Sequence, residues 1–370
     1  MKVSVVIPTY NEAENIGKLI PGLKRVLGED AEIIIVDDSS PDGTAEIAKK
    51  LGSRVVSRPG KLGLSSAIME GIRAAGNETV IVMDADLQHP PELIPELVEN
   101  SEGCDIVIAS RYVKGGRIEG WGLFRKIVSK TATLMARVLL PGAREVRDPL
   151  SGFFLVKRSR VLDAARRMEL RGFKFLLDLL SAGRFRVREI PYTFRARKHG
   201  KSKFSLVETA NYLLLLLKLS EYRVFKSAAV GTAGIAVNEG VLYLLVRSGF
   251  PLGAASPIAI ESSILSNFAL NDLWTFRKRR GGSFVSRLLK YHGAVALGAA
   301  INFLTLMVLV QAGVHFLLAN LAGIFLGFAA NYIGSEVVVW SITRSSRKPG
   351  LREARRALRP ARGCASRRSL

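Results

Sequence analysis

The sequence predicts an α/β domain with a mostly parallel sheet, followed by an all-α membrane domain of four helices. Three observations predict it. Short apolar runs of strand character alternate with helical stretches through the first half of the chain. Those runs break off into polar or acidic residues: Asn11 and Glu12, Asp37 and Asp38, Asp84 and Asp86. Beyond Tyr222-Arg223 the chain turns into four long apolar segments. Strand–helix alternation favours a parallel sheet, and about 20 apolar residues cross a bilayer.

Taken in order, Val3-Ser4-Val5-Val6-Ile7 is a buried-type strand closed by Pro8, and 14–27 has helical spacing. Ile33–Val36 is the next strand, running into Asp37-Asp38-Ser39-Ser40-Pro41-Asp42-Gly43. Val55–Ser57, Val80–Met83 and Ile106–Ala109 are further strands. In open sheets of this class ligands sit beyond the carboxyl ends of the strands, where the six polar residues stand. Asp84 and Asp86 are spaced i and i+2, so on an extended strand they face one side. Two hard oxygen ligands suit Mg²⁺ or Mn²⁺ shared with substrate phosphates. A strand end followed by a solvated acidic loop reads the same way, and the neighbouring motifs shift the balance.

Pro8-Thr9-Tyr10-Asn11-Glu12, Val36-Asp37-Asp38-Ser39, Lys61-Leu62-Gly63-Leu64 and Asp84-Ala85-Asp86, in that order, resemble glycosyltransferase family 2, whose members use the GT-A nucleotide-sugar fold. Asp84-Ala85-Asp86-Leu87-Gln88-His89-Pro90-Pro91-Glu92 and Asp148-Pro149-Leu150-Ser151-Gly152-Phe153 resemble more narrowly its polyprenyl-phosphate branch, the dolichol-phosphate mannose synthases. The resemblance spans roughly residues 1–220. It implies GDP-mannose as donor and a dolichyl or polyprenyl phosphate as acceptor. It implies that Pro8, Tyr10, Glu12 and Asp37 or Asp38 surround the base and ribose, and that Lys61 and Ala85 belong to the donor side. Asp84, Asp86 and Gln88 would hold the metal. The segment 198–203, with Lys203, resembles the family's mobile basic loop near the donor.

A lipid phosphate is already anionic at neutral pH, so its transfer needs no general base. It needs cations that position it. Arg111, which follows the Ile106–Ser110 strand, Arg117 and Arg125 are the candidates, with Ser129 beside them. Arginine holds phosphate bidentately. Asp86, through its metal, completes the catalytic set. Direct displacement inverts the anomeric centre, and an α-linked GDP-mannose would give a β-mannosyl product. A polyprenyl-phosphate glucosyltransferase using UDP-glucose shares this core and is the alternative. A processive polysaccharide synthase generally carries Gln-x-x-Arg-Trp on an interfacial helix, and this chain has none.

Composition sets bounds on the rest. A net charge of +22 beside 48% hydrophobic residues does not suit one soluble globule. The charge is segregated instead: six Lys/Arg and no acid in 277–290, and ten Lys/Arg against Glu353 alone in 343–370. These runs border apolar segments without interleaved aromatics, so no nucleic-acid partner is expected; anionic headgroups are. Two distant cysteines and four histidines give neither a disulfide framework nor a zinc pattern.

The apolar segments near 226–247, 253–276, 292–313 and 315–342 are read as membrane helices. Shifting the chain by 64 positions lays Gly234 on Gly298, Asn238 on Asn302 and Asn267 on Asn331, a parallel repeat. The Lys/Arg bias puts 277–290 and the tail in the cytoplasm. The chain is therefore expected to be a multi-pass cell-membrane protein with a cytoplasmic catalytic domain and C-terminus. A homo-oligomer through the membrane domain is compatible with this. The expected division is a catalytic domain over 1–172, interfacial helices with a connecting strand over 173–223, a membrane domain over 224–342 built from repeats 224–276 and 288–342, and a basic tail over 343–370. Glu239 and Glu261 are intramembrane acids with no counterpart in the repeat.

Overall fold

The computed structural model describes residues 2–29, 31–170, 173–195 and 206–341. Within them the chain forms two compact units, divided between Tyr222 and Arg223.

The first unit runs β1 (Ser4–Thr9), α1 (Ala13–Leu27), β2 (Glu32–Asp37), α2 (Thr44–Lys50), β3 (Arg54–Ser57), α3 (Leu64–Ala74), β4 (Thr79–Val82), α4 (Ile94–Glu99), β5 (Ile106–Ser110), β6 (Arg117–Ile118), α5 (Leu123–Leu139), β7 (Phe154–Lys157), α6 (Arg158–Ala164), α7 (Phe175–Ala182), β8 (Val187–Pro191), β9 (Thr193–Phe194) and α8 (Leu206–Leu219). Among the described residues seven strands make one sheet, ordered β3-β2-β1-β4-β7-β5-β8, and β6 pairs with β9 beside it. The pairs β1–β2, β1–β4, β2–β3 and β5–β8 are parallel; β7 enters antiparallel between β4 and β5. β1 and β2 are buried almost throughout because helices cover both faces of the sheet. All five strands read from the sequence are present.

The catalytic unit does not end at 172. Strand β8 extends its sheet, and α7 buries Phe175, Leu176, Leu179 and Leu180 in the core under one face. Helix α7 is therefore a core helix rather than an interfacial one. Its apolar run faces packed neighbours nearly all round, which a short sequence cannot distinguish from a lipid-facing surface. Helix α8 divides its surface. Tyr212 and Leu216 pack with Ala136 of α5 and with Leu140 just past its end, and the Tyr212 hydroxyl donates to the Ala132 carbonyl at 2.6 Å. Val207, Leu213 and Leu214 stay exposed.

The second unit contains α9 (Arg223–Arg247), α10 (Leu252–Leu270), α11 (Phe284–Gln311) and α12 (Phe316–Gly334). Helices α10 and α12 each pass into a π-helical turn, Asn271–Thr275 and Ser335–Val339. Three segments are long and apolar enough to cross a membrane: Arg223–Arg247, Phe284–Gln311 and Phe316–Val339. Helix α10 is not among these three because Glu261, Asn267 and several serines dilute it. The four-segment reading thus holds for the helices and meets the apolar criterion in three.

The repeat is visible in the packing. Gly234 faces Asn267 across α9 and α10, and Gly298 faces Asn331 across α11 and α12. A side chain at either glycine would collide with its neighbours, so small residues set the close approach. Asp272 and Glu336 are buried in ion pairs. Arg287 holds Asp272 through Nε at 2.8 Å, and the Trp340 indole donates to the same carboxylate. Arg223 holds Glu336 through Nε at 2.7 Å, joined by Arg279 and the Tyr332 hydroxyl. Glu261 meets His292 of α11 at 3.0 Å, and Glu239 accepts from the Asn238 amide.

Candidate active site

The strand order reverses direction at β1 and β4, and a cavity of about 590 Å³ opens beyond their carboxyl ends. The loops that form it are strained. Asn11, Ser39 and Leu87, in the loops that follow β1, β2 and β4, have φ of 57°, 55° and 63°. Non-glycine residues pay roughly 1–3 kcal/mol for such conformations, which cluster at functional sites.

The β1 end supplies Pro8, Tyr10 and Glu12 to the cavity wall. The Lys61 ammonium lies 3.6 Å from the centre of the Tyr10 ring, and the Asn15 amide donates to the Glu12 carboxylate at 2.6 Å. Asp38 lines the cavity and pairs with buried Arg58 at 2.7 Å. Burial raises the Asp38 pKa despite that arginine. Asp37 does not line the cavity. It is buried, accepting from Thr9 Oγ1 at 2.9 Å and from both Ser40 N and Ser40 Oγ, so it ties the β1 and β2 loops together.

Asp84, Ala85, Asp86 and Gln88 follow β4 into the same cavity. The Gln88 backbone N–H donates to Asp86 Oδ1, and its side-chain amide donates to the Arg195 carbonyl at 2.8 Å, which directs the amide's remaining oxygen elsewhere. Behind Asp84 stands His89, 2% exposed and stacked on Phe153 at 5.1 Å. Its Nδ1 accepts from the Asp84 backbone N–H at 3.0 Å. A neutral ring therefore carries its proton on Nε2, 3.9 Å from Asp84 Oδ2. Burial lowers the His89 pKa, which keeps the ring neutral. Gly152 completes the brace: a Cβ there would stand 2.8 Å from Asp84 Oδ2. Two carboxylates with an amide oxygen fit the octahedral oxygen environment of Mg²⁺ or Mn²⁺, which takes one or two carboxylates together with phosphate and water. Among the described residues no three His, Cys, Asp or Glu are grouped closely enough to hold a metal ion by themselves.

Arg111 and Arg125 line the same cavity. Asp148, fully buried, takes Arg111 Nε at 2.8 Å, its Nη2 at 2.7 Å and its backbone N–H at 2.9 Å, which fixes the guanidinium. Arg125 lies 4.2 Å over the Trp121 ring. The other two acceptor candidates are placed elsewhere. Ser129 accepts from the Tyr112 hydroxyl at 2.7 Å and is not in the cavity wall. Arg117, on β6, lines a separate cavity. Lys203 and the 198–203 loop lie outside the described residues.

Several site residues escaped the sequence reading. Lys174 and Glu208 line the cavity, as do Trp121, Tyr192 and Phe194. Burial, reinforced by the Arg111 charge, lowers the Lys174 pKa. Lys174 sits in Phe173-Lys174-Phe175, a context that signalled an interface. His89 and Gly152 lay inside motifs already quoted, where adjacency to Asp84 in space had no signal of its own.

Residues 4–161 match the profile of glycosyl transferase family 2, and residues 226–340 match the GtrA/DPMS transmembrane domain. A dolichol-phosphate mannosyltransferase from Pyrococcus furiosus is 44% identical over 353 residues, covering 92% of this chain and 100% of that protein. One from Saccharomyces cerevisiae is 35% identical over 246 residues, 62% of this chain and 90% of that protein. Among solved structures, glucosyl-3-phosphoglycerate synthase from Mycobacterium tuberculosis with Mg²⁺ and uridine diphosphate gives a TM-score of 0.48 at 22% identity, over 60% of this chain and 79% of that one.

Proposed function

The chain belongs to the dolichol-phosphate mannosyltransferases of glycosyl transferase family 2, and from that premise we propose that it transfers mannose from GDP-mannose to a dolichyl or polyprenyl phosphate with inversion. The carrying observation is one cavity lined by two carboxylates, Asp84 and Asp86, and by two arginines, Arg111 and Arg125. Such a cavity suits two phosphorylated substrates meeting.

Asp84, Asp86 and the Gln88 amide oxygen would hold Mg²⁺ or Mn²⁺, which supplies charge neutralisation to a leaving diphosphate. On the donor side Tyr10, Glu12, Asp38 and Lys61 offer a ring, two carboxylates and a cation to the nucleoside and its phosphates. On the acceptor side Arg111 is rigid, because Asp148 already occupies its Nε and one Nη, while Arg125 is the more adaptable cation. Trp121 and Phe194 give the arginines aromatic surfaces to lie against: Arg111 is 5.8 Å from the Trp121 ring centre and 5.5 Å from that of Phe194, and Arg125 is 4.2 Å from that of Trp121.

The test is transfer of radiolabelled sugar from GDP-mannose and from UDP-glucose into polyprenyl phosphate by the full chain in detergent, with and without chelator. GDP-mannose should be preferred, chelation should stop transfer, and the product should be the β-anomer. Faster transfer from UDP-glucose would assign the chain to glucosyl transfer instead. The membrane orientation rests on the Lys/Arg bias. A cysteine at Lys278 should resist an impermeant reagent outside intact cells and one at Ser248 should react; the reverse pattern would invert the topology.

A further inference from the structure

Helix α5 carries two stripes. Lys126, Lys130, Thr133 and Arg137 recur every three or four residues and so share one side of the helix. They line a cavity of about 720 Å³, facing Arg117 of β6 and Arg147. No carboxylate among the described residues lines it. Five side chains of one sign around one concave surface raise the local potential for an anion. Thr133 also lines the cavity, but it is only 6% exposed and its hydroxyl oxygen is sealed from solvent, so the cations alone present polar groups there. The adjoining stripe of α5 is apolar and bare: Leu123 is 75% exposed, Phe124 72%, Ile127 53% and Leu134 58%.

We propose that this cavity binds the phosphate of an anionic membrane phospholipid, at a site separate from the transfer cavity. The cations take the headgroup phosphate, and the acyl chains lie along Leu123, Phe124, Ile127 and Leu134. A free phosphate would use the first set and leave the second exposed, whereas a lipid uses both. Arg111 borders both cavities, but Asp148 already holds its guanidinium. The new site therefore rests on the lysines and arginines of the α5 side. This inference goes beyond the transfer reaction and does not depend on which sugar is moved.

The test uses the full chain in a neutral detergent, titrated calorimetrically with dihexanoyl-phosphatidylglycerol, dihexanoyl-phosphatidylcholine, inorganic phosphate and a short polyprenyl phosphate. The variants are Lys130→Glu and Arg147→Glu, both at exposed positions. Phosphatidylglycerol should bind saturably and at least about tenfold more tightly than phosphatidylcholine, and each charge reversal should weaken it by about tenfold or more, as expected for a charge-assisted phosphate contact. The unfolding midpoints of the two surface variants should not move. Equal binding of the two phospholipids, or phosphatidylglycerol binding that ignores Lys130→Glu and Arg147→Glu, would overturn the proposal. Inorganic phosphate binding as tightly as phosphatidylglycerol would make the ligand soluble and refute the lipid. Displacement of phosphatidylglycerol by polyprenyl phosphate, with the charge reversals raising only the acceptor KM, would make the cavity part of the acceptor path and refute a separate site.

Discussion

Arg223, the first residue of α9, grips Glu336 in the last turn of the membrane unit at 2.7 Å. The same relation recurs 64 positions on: Arg287 grips Asp272 at 2.8 Å. Each repeat thus opens with an arginine that holds the acid closing the other repeat. Phe276 and Trp340, also equivalent, stack between them at 4.3 Å. Glu336→Gln removes the carboxylate that buried Arg223 and Arg279 share, and losing one partner of a buried pair costs roughly 3–5 kcal/mol. Its unfolding midpoint in detergent should fall well below wild type. Arg223→Met with Glu336→Leu should recover part of the loss, because an apolar pair avoids desolvating the charges. A double variant no better than the single would show that the clasp is not the source.

Asp84 is held from behind by His89 and by the missing side chain of Gly152. Gly152→Ala puts a methyl 2.8 Å from Asp84 Oδ2, so the carboxylate must turn. His89→Phe keeps the stack on Phe153 and removes both ring nitrogens. Each should weaken Mn²⁺ binding by about 10–100-fold, the usual effect of losing support behind a metal ligand. Manganese binding read by electron paramagnetic resonance tests this without reference to turnover. Asp86→Ala should abolish transfer with the fold intact. Unchanged Mn²⁺ affinity in all three would remove the metal from this loop.

Much of this arrangement was legible in the sequence. The strand cores were, because parallel strands buried on both faces read as continuous apolar runs: Ile33–Val36 and Val80–Met83 differ from β2 and β4 only at their ends. The convergence of Glu12, Asp38, Asp84 and Asp86 was also legible, since strand ends in one sheet share an edge. What could not be read was the choice of partners. Asp37 and Asp38 are adjacent and chemically alike, yet one is consumed by Thr9 and Ser40 while the other reaches the cavity. Arg111 and Arg117 both follow β5, yet after the intervening turn only Arg111 lines the transfer cavity. The repeat of glycines and asparagines was visible as a pattern, but the exchange of Arg223 and Arg287 between repeats depends on a fold that brings their far ends together.

Stability should depend on acid through Asp105. Burial pushes its pKa up, but hydrogen bonds from Arg186 and the Arg160 charge outweigh burial and hold the carboxyl below its usual range. A carboxyl depressed in the folded state stabilises the fold above its unfolded pKa of about 4, and that gain disappears as pH falls through the lower folded value. Asp105→Asn should therefore lower the unfolding midpoint at pH 7, by about 2–4 °C for each kcal/mol lost in a unit of this size. The gap to wild type should narrow as pH drops below about 4. A constant gap across that range would mean that shape, not charge, makes the contribution.

The acceptor arginines should separate by their surroundings. Arg125 is exposed, rests on Trp121 and lines the transfer cavity, so Arg125→Ala should leave the fold alone and slow transfer. Losing one charge-assisted phosphate contact costs roughly 1.5–3 kcal/mol, about ten- to a hundredfold in rate. Arg125→Lys should recover only part, lacking the planar fork and the stack. Arg111→Ala should be worse for a different reason: it strands the fully buried Asp148, so unfolding and lost transfer should appear together. Arg117→Ala should hardly change the acceptor KM, because the residue opens onto the other cavity. Lys174→Met should raise that KM, since it removes a cation from the transfer cavity without leaving an ion pair broken. Transfer kinetics beside calorimetric binding of the nucleotide sugar distinguish these cases. If donor binding collapses with Arg125→Ala, the arginine belongs to the donor diphosphate. If Arg117→Ala alone raises the acceptor KM, the lipid phosphate enters from the α5 side, and both the acceptor assignment and the separate phospholipid site fail together.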